Sequence, residues 1–509
     1  MLLSLALLLP ALGALVLVVA GQRCPTKAAA VVGTAASLAP VLPLSLAWAS
    51  RSPGEAFAAE VDVSWIEALK VHWHLGLDGA GLVLALMSCL LSALCCAWLA
   101  SSDVDDEMPS TQALVALVLV VTTASLGVFL ALDLLVFFVF FELALIPMWF
   151  VIAWWGDPHD PDGRRRAATR FLLFTVAGSA LMLVGFVGLA ATTGTLQLTE
   201  LAELAPTLSG SLELVLAVAI ALGFAVKTPV WPLHIWLPDA HSAAPTVGSV
   251  LLAGVFLKLG TFGFVRVLVP VLPEPTSRLA PYLGALGVIA IAHAALVCLR
   301  QRDLKRLIAY SSVGHMGFVV LGVATMTDAG LAAAVYASVA HGVVTGLLFF
   351  LAGALKDRHG TSELSRLGGG LYGRTPWLAV AFAFTCLASL GLPGLAGFWG
   401  ELLALRGTYE AGVDGGVLQR ATAWTLLAVA AVGIALTTAY FTGLLRRLLQ
   451  GPAPGGVAGG EVALERDLDV REAAVVGVLA VSVLALGVLP FLLLGPIEQA
   501  LPWIIGVGR

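Results

Sequence analysis

Residues 227–260 read KTPVWPLHIWLPDAHSAAPTVGSVLLAGVFLKLG, and the fold turns on this stretch. It carries two lysines, Lys227 and Lys258, each reached through an apolar run: LAVAIALGFAV before the first and GSVLLAGVFL before the second. Between them stand Pro229, Pro232, Pro238 and Pro245. Proline removes a backbone donor and clashes with the preceding turn, so a helix that arrives at Lys227 is predicted to break there. A broken apolar helix ending on a cation suits a membrane interior lined by protein or water far better than a soluble core.

The rest of the chain agrees. Of its 509 residues 59% are apolar and 12% charged, where a soluble domain carries roughly 25% charge. A bilayer span needs about 20 apolar residues. Such runs occur at 1–20, 28–49, 80–100, 111–131, 133–155, 168–193, 212–230, 247–270, 281–299, 307–326, 330–355, 376–405, 421–445 and 473–495. The expected fold is therefore all-α and polytopic, with about fourteen transmembrane helices. Met1–Ala20 lacks the basic start of a signal peptide, its first cation being Arg23, and is read as a retained helix. Helices four and five are separated mainly by Asp133. The Gly- and Pro-rich loop 451–470 is read as mobile and is given no role.

Loop cations orient the bundle. Loops after odd-numbered helices hold most of them, including Arg164, Arg165, Arg166, Arg302, Lys305 and Arg447. The opposite side has few, among them Arg51, Lys70, Arg266 and Arg278. The positive-inside rule then places both termini outside. A net charge of -5 offers no basic surface for nucleic acid. No GxGxxG or GxxxxGK[ST] loop is present, so no nucleotide or flavin site is legible. The six cysteines show no ligand spacing and are read as small apolar side chains, leaving no metal site.

A charge at the bilayer centre costs at least ~2.5 kcal/mol, so each such residue needs a partner, water or a task. Six groups qualify: Glu142 in FFELALIP, Lys227, Lys258, His315 in SSVGHMGF, His341 in ASVAHGVV and Glu401 in GFWGE. His293 is a weaker seventh. A lone intramembrane histidine is often just a neutral hydrogen-bonding group between helices. Lysine and glutamate suit a relay because burial disfavours the charged form of each, while mutual approach restores both charges.

Gly391, Pro393, Gly394 and Gly397 interrupt the twelfth span just before Glu401, as the prolines interrupt the seventh after Lys227. Lys227 lies 116 residues after position 111 and Glu401 120 after position 281. Two broken helices in matching places predict two inverted five-helix repeats, 111–270 (helices 4–8) and 281–447 (helices 9–13). A three-helix segment, 1–110, precedes them and helix 14, 473–495, follows. Glu142 then maps near Ser312, so the halves differ chemically.

FFELALIPMWFVIAWWG (140–156), the opening stretch, DLKRLIAYSSVGHMGF (303–318) and GLPGLAGFWGE (391–401) resemble the antiporter-like subunits of respiratory complex I, the proton-translocating NADH:quinone oxidoreductase, over roughly residues 110–450. The resemblance implies a Glu142–Lys227 pair, a central Lys258, connecting groups at His315 and His341, and an outlet at Glu401. The roles of His234, His241 and His293 stay open. Glutamate at 401 points to the M type, since L-type, N-type and Mrp subunits carry lysine there. By the same resemblance NADH, FMN, iron-sulfur clusters and quinone belong to other subunits, and the partners are the L-type and N-type membrane subunits in a bacterial inner membrane. The alternatives are an Mrp-type sodium/proton antiporter subunit and a scaffold whose charges only glue helices together.

Overall fold

The computed structural model describes residues 1–100, 109–413, 416–450 and 466–506; most of loop 451–470 therefore lies outside the described residues. The helices are α1 (Leu2–Arg23), α2 (Thr26–Ala49), α3 (Gly79–Leu99), α4 (Thr111–Leu130), α5 (Leu134–Trp155), α6 (Pro161–Thr193), α7 (Gly210–Lys227), α8 (Thr246–Val271), α9 (Pro273–Cys298), α10 (Leu304–Thr325), α11 (Asp328–His359), α12 in two pieces (Pro376–Ser389 and Ala396–Val413), α13 (Arg420–Gln450), α14 (Val470–Val488) and a shorter α15 (Phe491–Ile505). Among the described residues thirteen helices are long and apolar enough to cross a membrane, and the first piece of the broken α12 is a shorter apolar helix. The polytopic helical fold read from hydropathy is the one observed.

Two features were not anticipated. An antiparallel hairpin, β1 (Ala58–Ile66) and β2 (Val71–Leu77), pairs Asp62 with His74 and Val63 with Trp73. Its alternation is visible in EVDVSW, but it is too short and too polar to register as a span. It is sewn to the bundle by the Leu132 amide donating to the His74 carbonyl at 2.9 Å. The last predicted helix also stops early, at Val488 rather than 495. Pro490 has no N–H to continue it, and the chain resumes as α15.

Asp133 caps α5 by accepting from the amides of Leu135 (2.8 Å) and Val136 (3.1 Å). Beside it the Leu134 amide donates to the Leu196 carbonyl and the Leu198 amide to that of Leu132, at 2.9 and 2.8 Å. The same junction recurs at α10. Asp303 accepts from the Arg306 amide at 2.8 Å, the Leu304 amide donates to Ser362 and that of Leu364 to Arg302, both at 2.8 Å. Thr195 and Thr361 hydroxyls complete the two junctions by accepting from the amides of Gln197 and Glu363. Glu142 follows Asp133, and Ser312 follows Asp303, by the same nine residues.

The helices α8 and α11 are buried along their whole apolar length. They form the axis on which the site is built. Two π-helical turns, Leu252–Phe256 and Phe264–Leu268, bracket the part of α8 that holds Lys258; such turns are frequent at functional sites. The far end of α8 is pinned by an ion pair with almost no exposure. Arg266 donates to Asp78 at 2.5 Å, and Asp78 also caps α3 through the Gly81 amide at 2.7 Å. Phe57, Phe262 and Trp503 enclose the guanidinium, with its carbon 5.1, 4.8 and 5.7 Å from the ring centroids.

Removing one partner of such a pair strands the other. Asp78→Ala is expected to destabilise the folded chain by about 3–5 kcal/mol, read as a lower midpoint in detergent-titrated unfolding followed by helical circular dichroism. A midpoint equal to wild type would show that the pair is not holding α8.

Candidate functional site: a buried lysine, histidine and glutamate chain

Lys227 is the last residue of α7, and the break that follows is closed by one backbone and one side-chain bond. The Val230 amide reaches back to the Ala225 carbonyl at 2.9 Å, and the Trp236 indole N–H takes the Val226 carbonyl at 3.1 Å. The Lys227 ammonium donates to the Phe141 carbonyl at 3.1 Å, close to where α5 is interrupted at Ala144. It lies 4.1 Å from the Phe141 ring centroid and 3.8 Å from that of Phe256. Two ring faces and one carbonyl thus hold a cation in oil.

Glu142 is the next residue along from Phe141. No ion pair within 4.0 Å joins it to Lys227 among the described residues, and its Oε1 is buried without a hydrogen-bond partner. The two groups expected to pair are neighbours held apart, with the lysine on the adjacent carbonyl.

The other four residues form one line. Lys258, with no exposure, sits 2.6 Å from His341 Nδ1 on α11. An ammonium there donates to a neutral imidazole; the tautomer follows from the contact. The His341 and His315 rings lie 5.6 Å apart, centroid to centroid. His315 Nε2 is 3.0 Å from the Ser389 hydroxyl and its Nδ1 3.9 Å from Glu401 Oε1. A cavity of ≈ 20 Å³ is lined by His315, His341, Thr345, Ser389 and Glu401. That is room for a water with polar partners on several sides, which the two gaps need if protons are to pass.

Glu401 begins just past the break in α12. Gly391, at φ +76°, lies against its carboxylate: a Cβ there would come within 2.5 Å of Glu401 Oε2. Only glycine provides both the backbone angle and the space.

Two buried cations differ from their sequence reading. Arg266 and Lys305 were counted with the loop cations, yet both are buried inside helices, at 1% exposure each. Lys305 donates to the Ala244 carbonyl at 2.7 Å in the segment after the α7 break. His241 is fully buried and stacked on Phe349 at 4.5 Å, with both ring nitrogens unpartnered. His234 lies edge-on to His293 at 5.3 Å and to Tyr310 at 6.1 Å, so these three rings make a separate cluster. Lys305 could have been suspected from LKRLIAY, where it faces the apolar side of a helix start; Arg266 stands alone in an apolar run.

Fold and site together define a class: a helical transporter subunit in which two broken helices flank a buried chain of ionisable side chains. The family described as NADH:quinone oxidoreductase/Mrp antiporter, TM matches residues 131–428. NADH-quinone oxidoreductase subunit M of Rhodobacter capsulatus is 37% identical over 461 residues, 87% of this chain and 84% of that protein. A chain of respiratory complex I from Thermus thermophilus with bound NADH has a TM-score of 0.84 at 30% identity, over 99% of this chain and 100% of that one. A chain of the Mrp complex from Dietzia sp. DQ12-45-1b has the same TM-score of 0.84 at 25% identity, but this chain covers only 52% of it. The chain belongs to the NADH:quinone oxidoreductase/Mrp antiporter transmembrane family, within its subunit M group.

Gly391→Ala is expected to lower NADH-driven proton uptake in membrane vesicles about as far as Glu401→Gln does, because the new methyl must displace the carboxylate. Gly373→Ala, whose methyl meets nothing within 4 Å, should match wild type. Full uptake in Gly391→Ala would mean that the position of Glu401 does not matter.

Proposed function

We propose that this chain moves protons across the membrane through the buried Lys227, Lys258, His341 and Glu401 and the half-buried Glu142 and His315, as a subunit of NADH:quinone oxidoreductase driven by electron transfer in other subunits. The observation that carries this reading is the 2.6 Å contact of Lys258 with His341, continued through His315 to Glu401 beside a water-sized cavity. Each member can gain or lose a proton, and the line joins the buried axis of the bundle to the broken α12. Apart from that line, Lys227 rests on a carbonyl with Glu142 beside it. Closing that pair would favour the ammonium; opening it would favour release of its proton toward the next group. An electrostatic change in a neighbouring subunit can bias that step.

In this reading the redox groups, NADH, FMN, iron-sulfur clusters and quinone, reside in other subunits, and the L-type and N-type membrane subunits are the neighbours. Protons are taken up near Lys227 and Lys258 from the cytoplasmic side and leave outward near Glu401, with both termini outside the bacterial inner membrane. Residues 111–270 and 281–447 act as the two inverted halves. The recurrence of the Asp133 and Asp303 junctions supports that division, and the burial of Arg266 and Lys305 leaves the bias of the remaining loop cations in place. The Mrp reading is less supported, because this chain spans about half of the Mrp chain it matches but nearly all of its complex I counterpart.

Inverted vesicles carrying Lys258→Ala or Glu142→Gln, at matched content of assembled complex, should show NADH-driven proton uptake reduced at least about tenfold, the effect of a barrier raised by ~1.4 kcal/mol or more. Wild-type uptake in both variants would end the relay reading. Proton flux that needs sodium and persists without NADH would favour exchange, and normal pumping in assembled Lys227→Ala would favour the scaffold.

A further inference from the structure

The break in α12 is held loosely by its own backbone. Between the two pieces the bonds are the Leu390 amide to Cys386 at 3.0 Å, Gly391 to Ala388 at 3.3 Å, Leu392 to Leu387 at 3.2 Å, Leu395 to Leu392 at 3.1 Å and Phe398 to Leu395 at 3.2 Å, across a segment with two glycines at positive φ, and none of them runs from one piece to the other. Yet Glu401 sits 3.9 Å from His315, beyond a hydrogen bond by less than 1 Å. A shift of that size decides whether the two touch directly or need water. Within α12 the pieces meet where Gly397 faces the Ala388 carbonyl, at which a Cβ would come within 2.2 Å, and something outside α12 adds to that hold.

That something is α14. At one end, its approach is bonded to the first piece: the Asp467 carboxylate accepts from the amides of Trp377 (2.8 Å) and Leu378 (3.0 Å). There Arg358, at the end of α11, pairs with both Glu472 oxygens at 2.5 and 3.1 Å and donates to the Asp467 carbonyl at 3.0 Å. At the other end, α14 is bonded to the second piece. The Trp399 indole N–H donates to the Gly487 carbonyl at 2.8 Å, and the Tyr336 hydroxyl on α11 to the Leu486 carbonyl at 2.6 Å. The Leu486 carbonyl is free for this because its helical donor would be residue 490, a proline.

Between these bonds Gly487 lies directly on the break. A Cβ there would come within 2.2 Å of the Gly394 carbonyl oxygen and 2.4 Å of Leu395 Cα. Three consecutive residues then each face a different element: Trp399 is bonded to α14, Gly400 is packed on Ala337 of α11, where a Cβ would meet backbone at 2.9 Å, and Glu401 stands 3.9 Å from His315 of α10. From Glu472 to Gly487 α14 carries no further ionisable side chain, so it cannot itself pass protons.

We propose that α14 is a splint across the broken α12, and that through Trp399 and Gly487 it sets the separation of Glu401 from His315. Trp399 and Gly487 are positioning residues in this scheme, which rests on the relay reading above. A neighbour or lipid that tilts α14 would change proton transfer at Glu401 without touching any titrating group.

The test compares Trp399→Phe, which removes the N–H but keeps a ring, and Gly487→Ala, which forces α14 off the break, in the whole complex in inverted membranes. Gly477→Ala is the control on the same helix, since its methyl meets nothing within 4 Å. At matched complex content, both test variants should lose at least half of the NADH-driven proton uptake that Glu401→Gln loses. The pH at which their remaining uptake is half-maximal should move by about 0.5 unit or more, as a changed environment of a titrating group requires; Gly477→Ala should show neither change. Loss of complex content with an unchanged pH profile at the remaining activity would reduce α14 to packing and overturn the splint. So would full uptake in both test variants when Glu401→Gln abolishes it, which leaves the relay intact. Full uptake in Glu401→Gln would remove the relay reading and the splint with it.

Discussion

An ammonium group in the middle of a bilayer has to be held by something other than water, and most of this architecture follows from how Lys258 is held. Its closest polar neighbour among the described residues is a histidine nitrogen at 2.6 Å, with the Met316 sulfur farther off at 4.0 Å, and that histidine stands on the only other described helix as completely buried as its own. A cation shared with an imidazole can give up its proton to that imidazole. The same contact therefore satisfies the lysine and, in the proposed relay, makes it the start of a path. Around it α8 and α11 are enclosed by other helices, and the outer helices α1, α6, α13 and α14 turn large apolar side chains such as Leu8, Leu173, Val432 and Val481 outward, as a face toward lipid requires.

The two broken helices answer a second demand of the same environment. A freed carbonyl inside the membrane must find a donor in protein or water. At α7 the donor for Val226 is the Trp236 side chain; at the end of α14 the donors for Leu486 and Gly487 are Tyr336 and Trp399. Aromatic N–H and O–H groups serve because each brings a polar tip on an apolar body. The structure thus leaves each break next to an ionisable residue, Lys227 or Glu401, and closes from the side the backbone freed after α7 and at the end of α14.

The lysine at each end of the opening stretch was legible because a charge inside an apolar run is conspicuous on hydropathy alone. Glu142 and Glu401 stood out for the same reason, and the breaks followed from proline and glycine. The histidines were weaker candidates, since nothing local separates a relay member from an interhelical hydrogen bond. Lys305 and Arg266 were misplaced: near the ends of apolar runs, a buried cation and a loop cation look alike until the partner is seen, here the Ala244 carbonyl for one and Asp78 for the other. The hairpin went unread because its short alternation lay in a loop between spans. Trp399 drew no notice as one more aromatic in a membrane helix.

Sequence by itself determined that the chain lies in a membrane, roughly where it crosses, where two helices break and which ionisable groups are stranded in the apolar interior, because each of these depends on neighbours within about one helix length. Tertiary structure decided who meets whom. Lys258 and His341 are 83 residues apart, His315 and Ser389 74, and Trp399 and Gly487 88. Packing of distant helices brings these groups within reach, and no periodicity along the chain encodes such a distance. That packing also kept Glu142 and Lys227, whose pairing the resemblance implied, side by side but apart, with a backbone carbonyl taking the place of the carboxylate.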